Sequence, residues 1–227
     1  MQRDAITSTG NQLSKLALIE HRPNKRLFMK PFVRSALILS PLALAACSQA
    51  APEPAPIDGA WTVDSDDSYL SYVTVKADEI AENNEFTGLT GSVAADGAAV
   101  IEVDLSSVST GVDIRDERMR DIFFNVVANP TATVTAQLDP ATFSNLSIGE
   151  TLIQPIDAQL SLVGVERSIQ TELAVTRTAE DRVLAVTTDP ILVSVDSYGL
   201  SDGLAQLQEL AGLSSITPVT PVTFAIA

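Results

Sequence analysis

Strict period-two alternation decides the fold class of this chain. In residues 131–138 (TATVTAQL), Ala132, Val134, Ala136 and Leu138 share one face, and Thr131, Thr133, Thr135 and Gln137 share the other. Residues 156–162 repeat the pattern, with Ile156, Ala158, Leu160 and Leu162 set against Asp157, Gln159 and Ser161. Ile101, Val103 and Leu105 alternate with Glu102 and Asp104. Successive side chains on a strand point to opposite faces, so each stretch buries one face and wets the other, as antiparallel sheets do. Further strands are expected near 60–64, 68–76, 86–94, 169–176, 182–188, 190–196 and 220–226, with turns at Asp96-Gly97, Asp139-Pro140, Gly164 and Asp189-Pro190. About nine or ten short strands in one domain curl into a barrel or pair into a sandwich.

Two stretches break this pattern. Residues 113–124 (DIRDERMRDIFF) are charged, with Ile114, Met119, Ile122, Phe123 and Phe124 as the apolar side. Residues 201–213 (SDGLAQLQELAGL) open on Ser201 as a candidate N-cap and space Leu204, Leu207, Ala211 and Leu213 near the helical period. Both read as helices. The second is either a plug packed on the barrel or a lid over its mouth.

The N-terminus carries an address. Residues 29–47 read MKPFVRSALILSPLALAAC: Lys30 and Arg34 precede an apolar run from Ala36 to Ala46. That run is too short to span a bilayer, which needs about 20 apolar residues. It has the form of a secretory signal. Leu44-Ala45-Ala46-Cys47 resembles the lipobox of bacterial lipoproteins, in which the cysteine is lipidated and becomes the first residue after cleavage. By resemblance to sorting rules, Ser48 directs such a protein to the outer membrane. Residues 1–46 are thus expected to be a signal region, translation is expected to begin at Met29, and 47–58 (CSQAAPEPAPID) reads as a disordered tether ahead of a barrel domain at 59–227. The expected location is the periplasm, with Cys47 anchored in membrane by lipid.

Charge and residue counts then exclude function classes. Residues 1–46 hold seven of the 14 basic residues and two of the 29 acidic ones, so 47–227 carries seven basic against 27 acidic residues, a formal charge of −20. Such a surface repels nucleic acid, and none is expected as a partner. Cys47 is the one cysteine and His21, upstream of the cut, the one histidine. A mature chain would therefore lack the residues of Ser-His-Asp and Cys-His catalysis and of most zinc and copper sites. No cofactor and no metal are expected. Asp64-Ser65-Asp66-Asp67-Ser68 lacks the glycine and distant glutamate of a calcium loop, and reads as a turn.

Several segments together resemble the YceI-like family. They are Ser68-Tyr69-Leu70-Ser71-Tyr72 with Lys76, Glu82 and Phe86; Leu105-Ser106-Ser107-Val108-Ser109-Thr110; Ile114-Arg115-Asp116-Glu117-Arg118-Met119; Phe123-Phe124 with Pro130-Thr131-Ala132-Thr133; Leu160-Ser161-Leu162-Val163-Gly164-Val165; and Tyr198-Gly199-Leu200. The resemblance covers most of 59–227. It implies an all-β fold, an extended antiparallel lipocalin-like barrel with one or two short helices. It implies a periplasmic or secreted protein that is not an enzyme and that holds a polyisoprenoid, an isoprenoid quinone or a similar amphiphile inside. Members often carry a histidine after the Arg-Asp pair. Arg118 stands in that stretch here, so a headgroup contact through that histidine does not carry over.

The inward candidates are mainly Ala, Val, Leu and Thr, small enough to leave room in a barrel of about eight strands. Leu70, Tyr72, Phe86, Val103, Phe123, Phe124, Val134 and Leu160 are the expected apolar contacts. Lys76 shares their phase with Leu70 and Tyr72. It either holds a headgroup or pairs with Glu79, Glu82 or Glu85. Arg115, Arg118 and Arg120 are either an anion clamp or a solvated helix face with local ion pairs, and Arg115-Asp116 is expected to lock helix to barrel. An interaction module with a filled barrel and no ligand is the alternative function.

Overall fold

The computed structural model describes residues 55–227. The expected signal region 1–46, the lipobox 44–47 with Cys47, and residues 48–54 of the tether lie outside the described residues.

The strands, in chain order, are β1 (Trp61–Thr62), β2 (Tyr69–Lys76), β3 (Ile80–Phe86), β4 (Leu89–Val93), β5 (Ala98–Asp104), β6 (Val108–Ser109), β7 (Thr131–Gln137), β8 (Thr151–Leu162), β9 (Val165–Ala179), β10 (Arg182–Thr187), β11 (Ile191–Ser194) and β12 (Val219–Ile226). They form one 12-stranded sheet in the order β1-β4-β5-β7-β8-β9-β10-β12-β2-β3-β6, with β11 also paired to β12. Every pairing is antiparallel, and the sheet curls around an apolar interior, the expected lipocalin-like class. Register brings the alternating faces together: Val103 lies opposite Ala132, Ile101 opposite Val134, Val134 opposite Leu160 and Ala158 opposite Ile169. A slip of one residue would turn each of these faces to water, so burial pins the register.

Residues 86–94, expected as one strand, are instead the end of β3 and all of β4. Between them Gly88 accepts from the Asp104 amide at 2.8 Å and its amide donates to Ser107 Oγ at 2.9 Å. A Cβ on Gly88 would stand 2.9 Å from that of Asp104, so the chain can fold this close to the end of β5 only without a side chain. β3 itself is not among the expected strands. Its sequence, IAENNEF, looks polar because Glu82 and Asn84 occupy inward positions.

The expected helix at 113–124 divides into α1 (Asp113–Arg118) and a π-helical turn (Met119–Phe124) that ends on Asn125 in the left-handed region, φ 48°. The wider turn accompanies the burial of Phe124 against the core. A four-residue helix, α2 (Pro140–Phe143), replaces the simple turn expected at Asp139-Pro140. Asp139 caps it by accepting from the Ala141 amide at 3.0 Å, with proline at the first helical position. The last helix, α3 (Ser201–Ala211), is capped at Gly212, φ 62°. Leu200, not Ser201, occupies its N-cap position. The Ser201 hydroxyl instead donates to Asp196 Oδ1 at 2.5 Å.

The main core joins Tyr72, Phe86, Leu89, Val103, Leu105, Val108, Phe124 and Ala132 where β2, β3, β5, β7 and the π turn meet. Leu89 has no exposed surface. Residues 55–58, the end of the stretch expected as tether, are held on the barrel: the Ile57 amide donates to the Ser144 carbonyl at 3.0 Å and the Ala55 carbonyl accepts from Arg177 at 2.7 Å. These main-chain bonds need no sequence signature, so a Pro- and Ala-rich stretch gives no sign of them.

Candidate functional site: an apolar cavity with one polar end

Inside the curled sheet lies a cavity of about 640 Å³. Its wall is built from the inward phase of the strands: Val134 and Ala136 of β7, Ala158 and Leu160 of β8, Ile169 and Leu173 of β9, Val222 and Phe224 of β12. All ten positions expected to face a ligand, Leu70, Tyr72, Lys76, Phe86, Val103, Arg115, Phe123, Phe124, Val134 and Leu160, line it. Tyr72 and Phe86 lie 5.4 Å apart between ring centroids, Phe86 and Phe124 5.8 Å, and Phe123 and Phe124 4.8 Å, forming an aromatic shelf on one side.

Polar groups gather at one end. Thr74, Lys76, Glu82 and Asn84 reach inward from the β2–β3 hairpin, and Arg115 reaches in from α1. Lys76 Nζ donates to Glu82 Oε1 at 2.8 Å, and Arg115 Nη1 to Glu82 Oε2 at 2.7 Å. Both carboxylate oxygens therefore meet a cation. The hydrogen bond from Lys76, reinforced by the Arg115 charge and opposed by desolvation, holds the Glu82 carboxyl below the usual range. Asn84 donates to Thr74 Oγ1 at 3.0 Å. Lys76 thus makes the pair with Glu82, one of the partners open to it in sequence, and lines the cavity as its strand phase predicts.

Three buried polar atoms at this end have no partner among the described residues: Tyr72 Oη, Asn84 Oδ1 and Arg115 Nε. Burial pushes the Tyr72 phenol far above its usual range, partly offset by the Arg115 charge. A phenol, an amide oxygen and a guanidinium N–H left without partners and out of water are costly, and a polar group brought in by a ligand would satisfy them.

Arg115 ties α1 to β3 through Glu82, and Arg115 and Asp116 both bind Thr110, in the segment between β6 and α1. Arg115 donates to the Thr110 carbonyl at 2.6 Å. Asp116 Oδ1 accepts from the Thr110 amide at 2.8 Å and its hydroxyl at 2.5 Å. Arg118 also lines the cavity and donates to the Leu210 carbonyl at 3.3 Å, tying α1 to α3. The second helix is a wall: Leu204, Leu207, Ala211 and Leu213 all face the cavity. At 64–68 the acidic residues form a turn in which Asp64 and Asp67 grip Arg182, the Asp67 contact at 2.8 Å. Sequence reasoning assigns no site role to Asn84 or Thr110. The period-two run Glu82, Asn84, Phe86 is the signal that could have placed β3.

An antiparallel barrel around an apolar cavity with one polar end defines a class of small lipocalin-like binding folds. The YceI-like domain model matches residues 61–226, and the chain belongs to that family. Among solved structures it is similar to a polyisoprenoid binding domain from Saccharophagus degradans implicated in plant cell wall breakdown. The two share 34% sequence identity at a TM-score of 0.72, over 74% of this chain and 97% of that one. It also shares the fold of BcnA from Burkholderia cenocepacia, at 15% identity and a TM-score of 0.56, over 72% of this chain and 98% of that one. No curated protein matches the chain.

Proposed function

We propose that this protein is a lipid-anchored periplasmic carrier or buffer for a long-chain hydrophobic amphiphile, a polyisoprenoid or an isoprenoid quinone, and that it does no covalent chemistry. The observation that carries this reading is the cavity itself, about 640 Å³ and apolar over most of its wall, with Tyr72, Asn84 and Arg115 offering unpartnered polar atoms at one end. A hydrocarbon chain moved from water into it gains about 25 cal/mol per Å² of apolar surface buried, and the polar end orients the head. The relative that shares 34% identity is a polyisoprenoid binding domain, which supports the same ligand class here. A cavity of this size counts against a filled barrel that serves only as a docking module. Leu44-Ala45-Ala46-Cys47 with Ser48 supports anchoring at the outer membrane.

Native mass spectrometry of the full chain, purified from bacterial envelopes without long-chain detergent, tests the function. One co-purifying long-chain species per protein is expected. An apo mass that stays unchanged on adding polyprenyl phosphates or quinones would overturn the carrier reading. Cys47→Ala is expected to release the protein from the membrane fraction; retention would overturn the anchor.

A further inference from the structure

A second cavity, about 470 Å³, lies at the end of the barrel opposite Lys76 and Glu82. Besides strand residues, its walls include the segment from Ile57 to Val63, the end of β4 with the turn that follows it, and α2 with Phe143. Trp61, Phe143, Val175 and Val183 make it mainly apolar. Val93, Ile101, Leu138, Ile156, Leu173, Ala185 and Ile226 line both cavities, so the two adjoin at one ring of side chains.

One wall of this cavity is the entering chain from Ile57 to Val63, whose start a buried arginine holds in place. Arg177 lies on β9, four residues beyond Leu173 and on the same face, with 1% of its surface exposed. It donates to four main-chain carbonyls: Ala55 at 2.7 Å, Glu180 at 2.8 Å, Leu146 at 3.1 Å and Ala179 at 3.2 Å. Among the described residues no carboxylate pairs with it. A guanidinium buried this fully and bonded only to carbonyls is spent on fixing the backbone, here residues 55–58 against the loop after α2 and the β9–β10 turn.

We infer that the second cavity receives the far end of the ligand's hydrocarbon chain, and that residues 57–61, positioned by Arg177, are the stop that sets the longest chain accommodated. This rests on the carrier reading and narrows its ligand class to chains long enough to pass the ring at Ile101 and Leu173. The step from Leu173 to Arg177 adds about 13 Å along the strand, or about 10 Å along the barrel after a tilt of ~40°. Each methylene buried there strengthens binding about fourfold.

Trp61 is the one tryptophan in the chain and lines only the second cavity, so its emission reports that cavity alone. The experiment titrates the full chain with farnesol, a short prenol, and solanesol, a long one. Native mass spectrometry counts bound prenol and Trp61 emission reports the second cavity. Both prenols are expected to bind, solanesol more tightly, and only solanesol is expected to shift the emission to the blue. Val183→Phe in the wall of the second cavity and Ile57→Tyr at the stop are expected to weaken solanesol at least tenfold and leave farnesol unchanged, with Val183→Phe also abolishing the emission shift. Solanesol bound with unchanged Trp61 emission, or variants that weaken both prenols alike, would overturn the inference and leave the carrier reading standing. Failure of the unaltered protein to bind either prenol would overturn both.

Discussion

Arg115 Nη1 lies 2.7 Å from Oε2 of Glu82, so α1, which lines the cavity, is tied to the strand that forms its polar end. Glu82 also neutralises Lys76 through its other oxygen. Replacing it strands two cations at a cavity rim where each is about a quarter exposed, at 26% and 28%. Glu82→Gln is expected to cost about 1–2 kcal/mol at neutral pH. The carboxyl titrates below its unfolded value, so its stabilisation is present above that value and lost as pH falls through the folded one. Melting curves of the two proteins should therefore differ at pH 7 and converge as pH falls past the ordinary glutamate range and through the lower folded value. A constant gap would show that the contribution is not electrostatic.

Tyr72→Phe removes a buried hydroxyl that has no partner among the described residues. The protein without ligand is expected to keep its stability or gain about 1 kcal/mol, while binding of an amphiphile with an oxygen-bearing head weakens about tenfold. Thermal melts paired with ligand titration separate the two effects. A loss of stability with unchanged affinity would make the hydroxyl structural.

Gly97→Ala tests the turn that joins β4 to β5. Gly97 has φ +88°, and an added Cβ would stand 2.1 Å from the Leu138 carbonyl oxygen. That approach lets the Gly97 carbonyl accept from the Leu138 amide at 2.9 Å and holds the turn at the edge of the second cavity. A loss of about 2 kcal/mol or more is expected in urea denaturation.

Leu89→Ala empties a site with no exposed surface at the start of β4. The expected cost is about 3 kcal/mol, read as a lower urea midpoint at unchanged slope. Leu89 does not line the cavity, so prenol affinity in the folded fraction should hold.

Much of the cavity wall is legible in the amino-acid sequence. Ala132, Val134 and Ala136, and Ile156, Ala158 and Leu160, announce an inward face because the two-residue period of a strand survives any curling of the sheet. The same phase places Lys76 inward. The strand holding Glu82 and Asn84 escapes notice because its inward positions are polar, and a pattern that equates apolar with buried cannot see a polar cavity end. Arg177 is opaque for the same reason. It stands on the inward phase of β9, yet its partners are main-chain carbonyls from residues 55, 146, 179 and 180, which carry no side-chain signature.

The amino-acid order by itself determined most of the strands, the inward faces of the apolar ones and the resemblance that set the fold class, since these depend on local period and short motifs. Only the tertiary structure decided that Lys76 and Arg115 share the two oxygens of one glutamate. It alone decided that α3 walls the cavity, and that the segment from Ile57 to Val63 walls a second cavity at the far end. Each of those arrangements joins positions distant in sequence, and the curvature of the sheet, which no period records, is what brings them together.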